Sequence, residues 1–202
     1  MLDPTLITKF ESLYENSTPV EKYFFAGILN MILQGKEPIM PEIITGKDIV
    51  GLGFVTPAVT NKVSAKYSYG QEKYGYTFTL SKTYKVNSKE CLADNGKITI
   101  QPKQYLLCCS EESWAIPIDV VGFIWPKSSY SRQGLFFQFC PIDPGFKNAQ
   151  LVFPIFNASD SPIELLCGQG IAQAVFFRGV ENGEPSYDGG YSNRNGVVEF
   201  KG

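Results

Sequence analysis

Ile98–Leu135 reads ITIQPKQYLLCCSEESWAIPIDVVGFIWPKSSYSRQGL, and its alternation decides the fold. Ile98-Thr99-Ile100, Tyr105–Cys109 and Val120–Ile124 are short runs of apolar and β-branched residues, with turn signals between them such as Ile116-Pro117. Runs of this length, punctuated in this way, are strands rather than helices. The pattern continues in both directions. Upstream, Tyr76, Phe78 and Leu80 alternate with Thr77, Thr79 and Ser81, and Asp94-Asn95-Gly96 supplies a turn. Downstream come Leu135–Phe139, Leu151–Phe156, Ile163–Leu166 and Ile171–Phe177, separated by Asp143-Pro144-Gly145, Ser161-Pro162 and Cys167-Gly168. Many short strands with few helices predict a mainly β domain over residues 75–202, an antiparallel sandwich or jelly-roll barrel.

The first 45 residues read differently. Asp3 before Pro4 is an N-cap and first-turn pair that opens a short helix through about Tyr14. Thr18-Pro19-Val20-Glu21 is a capping box opening a second helix, which runs to about Gln34 and stops at Gly35. Its apolar residues, among them Tyr23, Phe24, Phe25, Ile28 and Leu29, occupy more than one face, so this helix must be buried by packing or by a protein partner. Residues 1–45 are expected to form an N-terminal helical extension. Residues 46–74 carry no decisive pattern and connect the two parts.

Bulk properties exclude several classes. Eighteen Lys and Arg against 20 Asp and Glu give a net charge of −2, no field for holding a nucleic-acid polymer, though a few placed cations suffice for one triphosphate. No apolar run reaches bilayer length, and the N-terminus lacks a signal peptide's cationic start and apolar core, so a cytoplasmic protein without membrane contact is expected. The chain has no histidine, which removes Ser-His-Asp and Cys-His catalysis and any His-containing zinc site. The five cysteines lack CxxC spacing and read as small core residues, so no metal centre built by the protein alone is expected.

Three stretches stand out for their polar and glycine-rich motifs. In Pro126–Arg132, PKSSYSR, hydroxyls and cations follow a strand and can meet phosphate oxygens. PIDPGF (Pro141–Phe146) and GQGIAQAVF (Gly168–Phe176) follow. In this order and spacing they resemble the motifs of the dCTP deaminase and trimeric dUTPase superfamily. The run from Ile98 to Leu135 is similar to the deaminase succession of strand, QPxxxxL, acidic turn, PxDVVG and RSSxxRxGL, and Tyr191–Gly196 is similar to the deaminases' YxxxxG tail. The resemblance covers about 80 residues of continuous pattern and lies closer to the deaminase branch. It implies a dUTPase-like β-barrel protomer, a homotrimer with sites at subunit interfaces, and a deoxynucleoside triphosphate ligand bringing Mg2+ with it. Carried over by position, Ser128, Ser129 and Arg132 contact the triphosphate, with Lys127 where the family has arginine. Gln173 is a phosphate contact and Asp143 sits beside the deoxyribose, where it positions water in the hydrolases. Phe146 stacks under the sugar, and Tyr191 belongs to the nucleotide-binding tail. The catalytic set so implied is Asp143, Ser128 and Arg132.

Two positions depart from the pattern. The deaminases carry a glutamate three residues before the motif asparagine; before Asn157, that position is Pro154. Proline neither gives nor accepts a proton, and general acid–base catalysis contributes about 10²–10⁴-fold. Gln150 and Glu164 are the nearest polar residues, both several positions away. In Gly75–Leu80, Thr79 stands where the family's first motif has aspartate. Three functions are consistent with this set. The first is an enzyme processing dCTP or dUTP, a hydrolase acting through Asp143 or a deaminase with an altered catalytic set, with Pro154 counting against deamination. The second is a catalytically inactive nucleotide-binding or regulatory protein, and the third is a structural β-barrel.

Overall fold

Strand β4, Tyr76–Val86, organises the sheet because it changes partners along its length. Its first half pairs with β12 (Gly170–Arg178), in the register Thr77↔Gln173 and Thr79↔Gly170. Its second half pairs with β7 (Tyr105–Ala115), from Leu80↔Ser110 to Lys85↔Leu107 with a register shift between. Around this hinge lie β1 (Glu42–Ile43), β2 (Val55–Thr56), β3 (Gly70–Gln71), β5 (Lys89–Leu92), β8 (Val120–Pro126), β9 (Leu135–Phe137) and β10 (Lys147–Asn157). The main path runs β1-β12-β4-β7-β10-β9, with β2 beside β7, β3 and β5 beside β4, and β8 beside β12. Every pairing is antiparallel, and β6 (Lys97–Ile100) and β11 (Ile163–Leu166) form a separate ribbon. The mainly β, antiparallel architecture read from the sequence is the one observed.

This computed structural model describes residues 14–15, 42–179 and 189–198. The chain divides into two compact units, Met1–Met40 and Pro41–Gly202. Tyr14 and Glu15 are helical; the rest of the two helices expected before residue 41 lies outside the described residues. No helix among the described residues is long and apolar enough to cross a membrane.

Alternation along the strands fills one core. Trp114 meets Tyr76 and Phe78 edge to face, at 6.0 and 5.8 Å between ring centroids, and Phe176 packs on it at 5.8 Å. Residues 46–74 enter this core. Thr45 caps helix α1 (Gly46–Gly51), its Oγ1 accepting from the Asp48 N–H, and Ile49 on that helix is fully buried. Phe54 is buried edge-on to Phe176, and Val55 pairs with Trp114 through β2.

Three strand readings are corrected. The second strand of the opening stretch does not stop at Cys109. It continues through Ser110-Glu111-Glu112 to Ala115, so the acidic turn is strand. β9 ends at Phe137 rather than Phe139. The PKSSYSR loop holds one helical turn, α2 (Ser128–Ser131).

Pro154 sits inside β10, between β7 and β9. Its carbonyl accepts from the Gln138 N–H at 3.3 Å, and the ladder with β9 begins one residue later, at Ile155↔Phe137. The missing N–H therefore faces a stretch where the ladder has ended, which is where a strand tolerates proline. On the outer face, Tyr105, Phe156 and Phe136 lie directly opposite one another across β7, β10 and β9.

The acid misread as turn has a structural task. Glu112 is 3% exposed. Its carboxylate accepts the Thr79 backbone N–H at 3.0 and 3.1 Å and the Thr79 hydroxyl at 3.2 Å. Burial pushes its pKa from the ordinary 4.5 up to about 7, against the opposing pull of the Thr79 hydrogen bonds. The folded state thus holds this proton more tightly than the unfolded chain. Glu112's contribution to stability is greatest below pH 4.5, falls as pH rises toward 7, and is flat above that. The fall is roughly 3 kcal/mol for a shift of this size. Glu112→Gln keeps an acceptor for Thr79 and removes the titration. Urea midpoints at pH 5 and pH 8 should therefore show the substitution raising stability at pH 8 relative to its effect at pH 5; an equal effect at both would contradict the assignment.

Candidate functional site

The residues singled out by sequence fall into two groups on the protomer. The first surrounds α2. Tyr130, within the SSYS turn, is fully buried and stacks on Tyr67 at 4.2 Å, so its ring anchors the turn while Ser128, Ser129 and Arg132 stay exposed. Gln133 Nε2 donates to the Ser129 carbonyl at 2.7 Å. Lys127 precedes the turn, its backbone N–H donating to Ile171 of β12 at 3.1 Å. Its ammonium turns inward, donating to the Ser68 carbonyl at 2.8 Å and the Ser68 hydroxyl at 3.2 Å. Burial lowers its pKa, opposed by nearby Glu72 and reinforced by Lys62. Lys127 therefore ties the turn to the segment below it, with two of its three donors already engaged.

Gln173 stands on β12 opposite Trp125 of β8 and Thr77 of β4. Its Nε2 donates to the Tyr74 carbonyl at 2.6 Å. Gly75 makes this approach possible: φ is +98°, and a Cβ there would lie 2.5 Å from the Ala174 carbonyl and 3.0 Å from Gln173 Nε2. Nearby, Glu72 pairs with Lys62 at 2.9 Å and accepts the Thr77 hydroxyl at 3.2 Å. Thr79 is buried, with both donors on Glu112, and belongs to the sheet interior rather than to this group.

The second group lines a cavity of about 940 Å³. Asp143, Phe146 and Tyr191 face it; Lys127, Ser128, Ser129, Arg132 and Gln173 do not. The turn that presents Asp143 is fixed at both ends. Ile142 exchanges both backbone hydrogen bonds with Gly122, and the Phe146 N–H closes onto the Asp143 carbonyl at 3.1 Å, with Gly145 at φ +84°. Ile142 and Phe146 are buried, and the carboxylate between them is exposed. β10 gives the wall Gln150, Leu151, Val152 and Phe153, none ionisable, and Pro154 is not part of it. Asp143 is the one carboxylate among the described lining residues. Cys140, expected in the core, is exposed at the rim, and Cys91 and Cys167 are half-buried; Cys108 and Cys109 are buried as expected.

The sequence reading assigned no part in the site to Arg194 or Gln150, which both line the cavity. Arg194 enters from the same tail as Tyr191, and Gln150 holds that tail in place. The Gln150 N–H donates to the Arg194 carbonyl at 3.2 Å, and its Oε1 accepts the Gly196 N–H at 2.6 Å. Its Nε2 reaches the Ser110 and Glu111 carbonyls at 2.6 and 3.1 Å. One side chain thus joins the irregular part of β7 to the tail.

Residues 63–179 match the dCTP deaminase-like family. The chain is 28% identical to a dCTP deaminase of Gluconobacter oxydans over 179 residues, covering 80% of this chain and 97% of that protein. It is 40% identical over 100 residues to a dUMP-forming dCTP deaminase of Aquifex aeolicus, covering 49% of this chain and 55% of that protein. Among solved structures, a 2'-deoxycytidine 5'-triphosphate deaminase from Agrobacterium tumefaciens shares the fold, with a TM-score of 0.57 and 16% identity over 70% of this chain and 50% of its own. The protein belongs to the dCTP deaminase-like family.

Gln150→Ala removes the clasp and leaves Ser110, Glu111 and Gly196 without a side-chain partner. It should cost about 1–3 kcal/mol in urea unfolding. Hydrogen exchange at the Gly196 amide should accelerate markedly; unchanged exchange there would mean that the tail is held by other contacts.

Proposed function

We propose that this protein binds a deoxynucleoside triphosphate and hydrolyses it, rather than deaminating its base. The observation that carries this reading is the cavity wall. Asp143 is the carboxylate among the described lining residues, it is exposed beside Phe146 and Tyr191, and β10 offers no proton-transfer group opposite it. Attack of water on a cytosine ring needs a group that takes a proton from water and passes one to the leaving amine. The position that would supply it by family resemblance holds Pro154. Phosphoanhydride hydrolysis asks less of the protein, since it depends mainly on positioning and on charge. In this reading Asp143 orients a water whose oxygen bonds to the α-phosphorus. The α–β anhydride bond breaks, pyrophosphate leaves with the electron pair, and the water proton passes through Asp143 to solvent. The relative named as a dUMP-forming dCTP deaminase supports only the hydrolytic part of this reading.

The separation of the two groups on the protomer fits a homotrimer in which the Ser128–Arg132 turn of one copy closes the Asp143 cavity of another. In that assembly Ser128, Ser129, Arg132 and Gln173 meet the triphosphate, while Phe146 and Tyr191 flank the nucleoside. No cluster of three acidic or thiol ligands occurs among the described residues. A magnesium ion would be carried by the phosphate oxygens of the nucleotide, leaving Asp143 to orient the water. When bound, the ion neutralises phosphate charge. A protein that binds the nucleotide without turning it over is the second reading, favoured by the engagement of the Lys127 ammonium with Ser68.

Incubation with dCTP, dUTP and dTTP plus magnesium, followed by chromatography, separates these readings. Hydrolysis gives a monophosphate and pyrophosphate; binding without product supports the second reading; dUTP formed from dCTP would overturn both. If sites are shared between copies, Asp143→Asn and Arg132→Ala should each abolish most turnover alone. Exchanged mixtures should regain about a quarter of it, the fraction of sites drawing one intact half from each variant. Mixtures as inactive as their components would place both residues in one copy's site or outside it.

A further inference from the structure

One element at the cavity belongs to none of the motifs. The hairpin of β4 and β5 closes at the pair Val86↔Lys89, leaving Asn87 and Ser88 as a two-residue turn with φ of 47° and 64°. Two successive positive φ values define a hairpin turn whose second position favours glycine, and a serine there carries a backbone cost. Strain of this kind gathers where a turn is used for binding. Lys85, Asn87 and Ser88 all line the cavity, so the hairpin joins the Asp143 turn, β10 and the tail around one space.

The register fixes where Lys85 stands. It pairs with Leu107 of β7, and Leu107 pairs in turn with Pro154 of β10. Directly paired residues share a face of the sheet, so Lys85, Leu107 and Pro154 form one row, each of them half-buried. On the other side of Lys85 the row continues to Glu90 of β5. Strands lie about 4.8 Å apart, which puts Lys85 roughly 10 Å from Pro154 at the backbone. A lysine stem can lie along an apolar neighbour such as Leu107 and carry its charged head most of that way. An ammonium has three donors, so a contact within the protein leaves others for a ligand. The wall near it is apolar, with Leu107, Ile124, Phe139 and Val152 among the lining residues. With Asp143 at the phosphate and Phe146 and Tyr191 beside the nucleoside, this wall is left for the base. Few polar groups set in an apolar wall are what orient a ring.

We propose that Lys85 determines which base the cavity accepts, its ammonium donating to the 4-carbonyl oxygen of a uracil ring and finding no acceptor in the 4-amino group of cytosine. The inference rests on the nucleotide reading above and adds to it a specificity-determining residue. An ammonium donates and cannot accept, so a 4-oxo ring completes it whereas a 4-amino ring sets N–H against N–H. A site whose polar group is left unpaired rejects the wrong ligand more strongly than a change of volume does. Pro154 acts in the same direction, since in the same row it offers no side-chain acceptor to an amino group.

Calorimetric titration of the full chain with the non-hydrolysable α,β-imido forms of dUTP and dCTP tests this. Wild type should bind the uracil nucleotide at least about tenfold more tightly than the cytosine nucleotide, the worth of one charged hydrogen bond. Lys85→Met keeps the length of the stem and should bring that ratio close to one, chiefly by weakening the uracil nucleotide. Lys85→Arg retains a donor and should keep part of the preference. Should Lys85→Met fold poorly, Lys85→Gln gives the same comparison, since its amide can accept as well as donate. Wild type binding both nucleotides equally, or cytosine the more tightly, would overturn the proposal while leaving the nucleotide reading intact. So would a ratio that Lys85→Met does not change. A loss shared equally by the two nucleotides would overturn it too, because Lys85 would then serve the phosphates or the cavity rather than the base. Wild type binding neither nucleotide would remove the nucleotide reading, and this inference with it.

Discussion

A strand that changes partners midway must leave one backbone group without a ladder. In this protein β4 leaves β12 after Thr79 and takes up β7 from Leu80, and the orphaned N–H belongs to Thr79. A buried N–H with no acceptor would cost roughly as much as a lost hydrogen bond. Glu112 meets it with a side chain, so a carboxylate stands in for the missing strand. The two halves of the sheet can then turn away from each other while sharing Trp114, Tyr76, Phe78 and Phe176 as one core. The site follows from that turn. β12 carries Gln173 and steadies Lys127, and β7 and β10 build the wall facing Asp143. The substitution of Thr79 for a family aspartate then reads less as a vacancy than as part of a different internal arrangement, in which the acid comes from β7.

The mainly β character was legible because alternation survives in nearly every strand, and β11 runs over the same residues, Ile163–Leu166, that the pattern marks. Asp143-Pro144-Gly145 was legible for a similar reason: proline and glycine fix its backbone locally. What escaped depends on distant contacts. Glu111-Glu112 looks like a turn because two adjacent acids seldom sit in a buried strand; only Thr79, 33 positions away, explains the second of them. Residues 46–74 lack periodicity because each of their core residues packs against a different element, Phe54 on Phe176 and Tyr67 on Tyr130. The tyrosine in PKSSYSR gave no sign that it anchors the turn. Nor did the sequence show that Lys127 faces Ser68 rather than open space, since a lysine's four-carbon stem allows either.

The arrangement of charge also separates two tasks that motif reading merges. Lys127 holds the α2 turn against the segment that precedes it, while the exposed Arg132 keeps its guanidinium outside any ion pair among the described residues. Family membership, established over residues 63–179, fixes the frame in which these residues act. Within that frame Pro154 lies where the ladder between β10 and β9 ends, and Lys127 is engaged with Ser68. A sheet can keep its shape while the groups on its surface are exchanged.

Pro154 also has a bearing on colloidal behaviour. β9 covers β10 only from Ile155 to Asn157, and the tail bonds to β10 at Lys147 and Gln150. Between them the strand would present an open margin to any other extended chain, next to the apolar row of Tyr105, Phe156 and Phe136. Such margins recruit foreign strands and seed aggregates. A residue that cannot donate interrupts that template at the end next to β9, so Pro154 also acts as a gatekeeper against intermolecular β-addition.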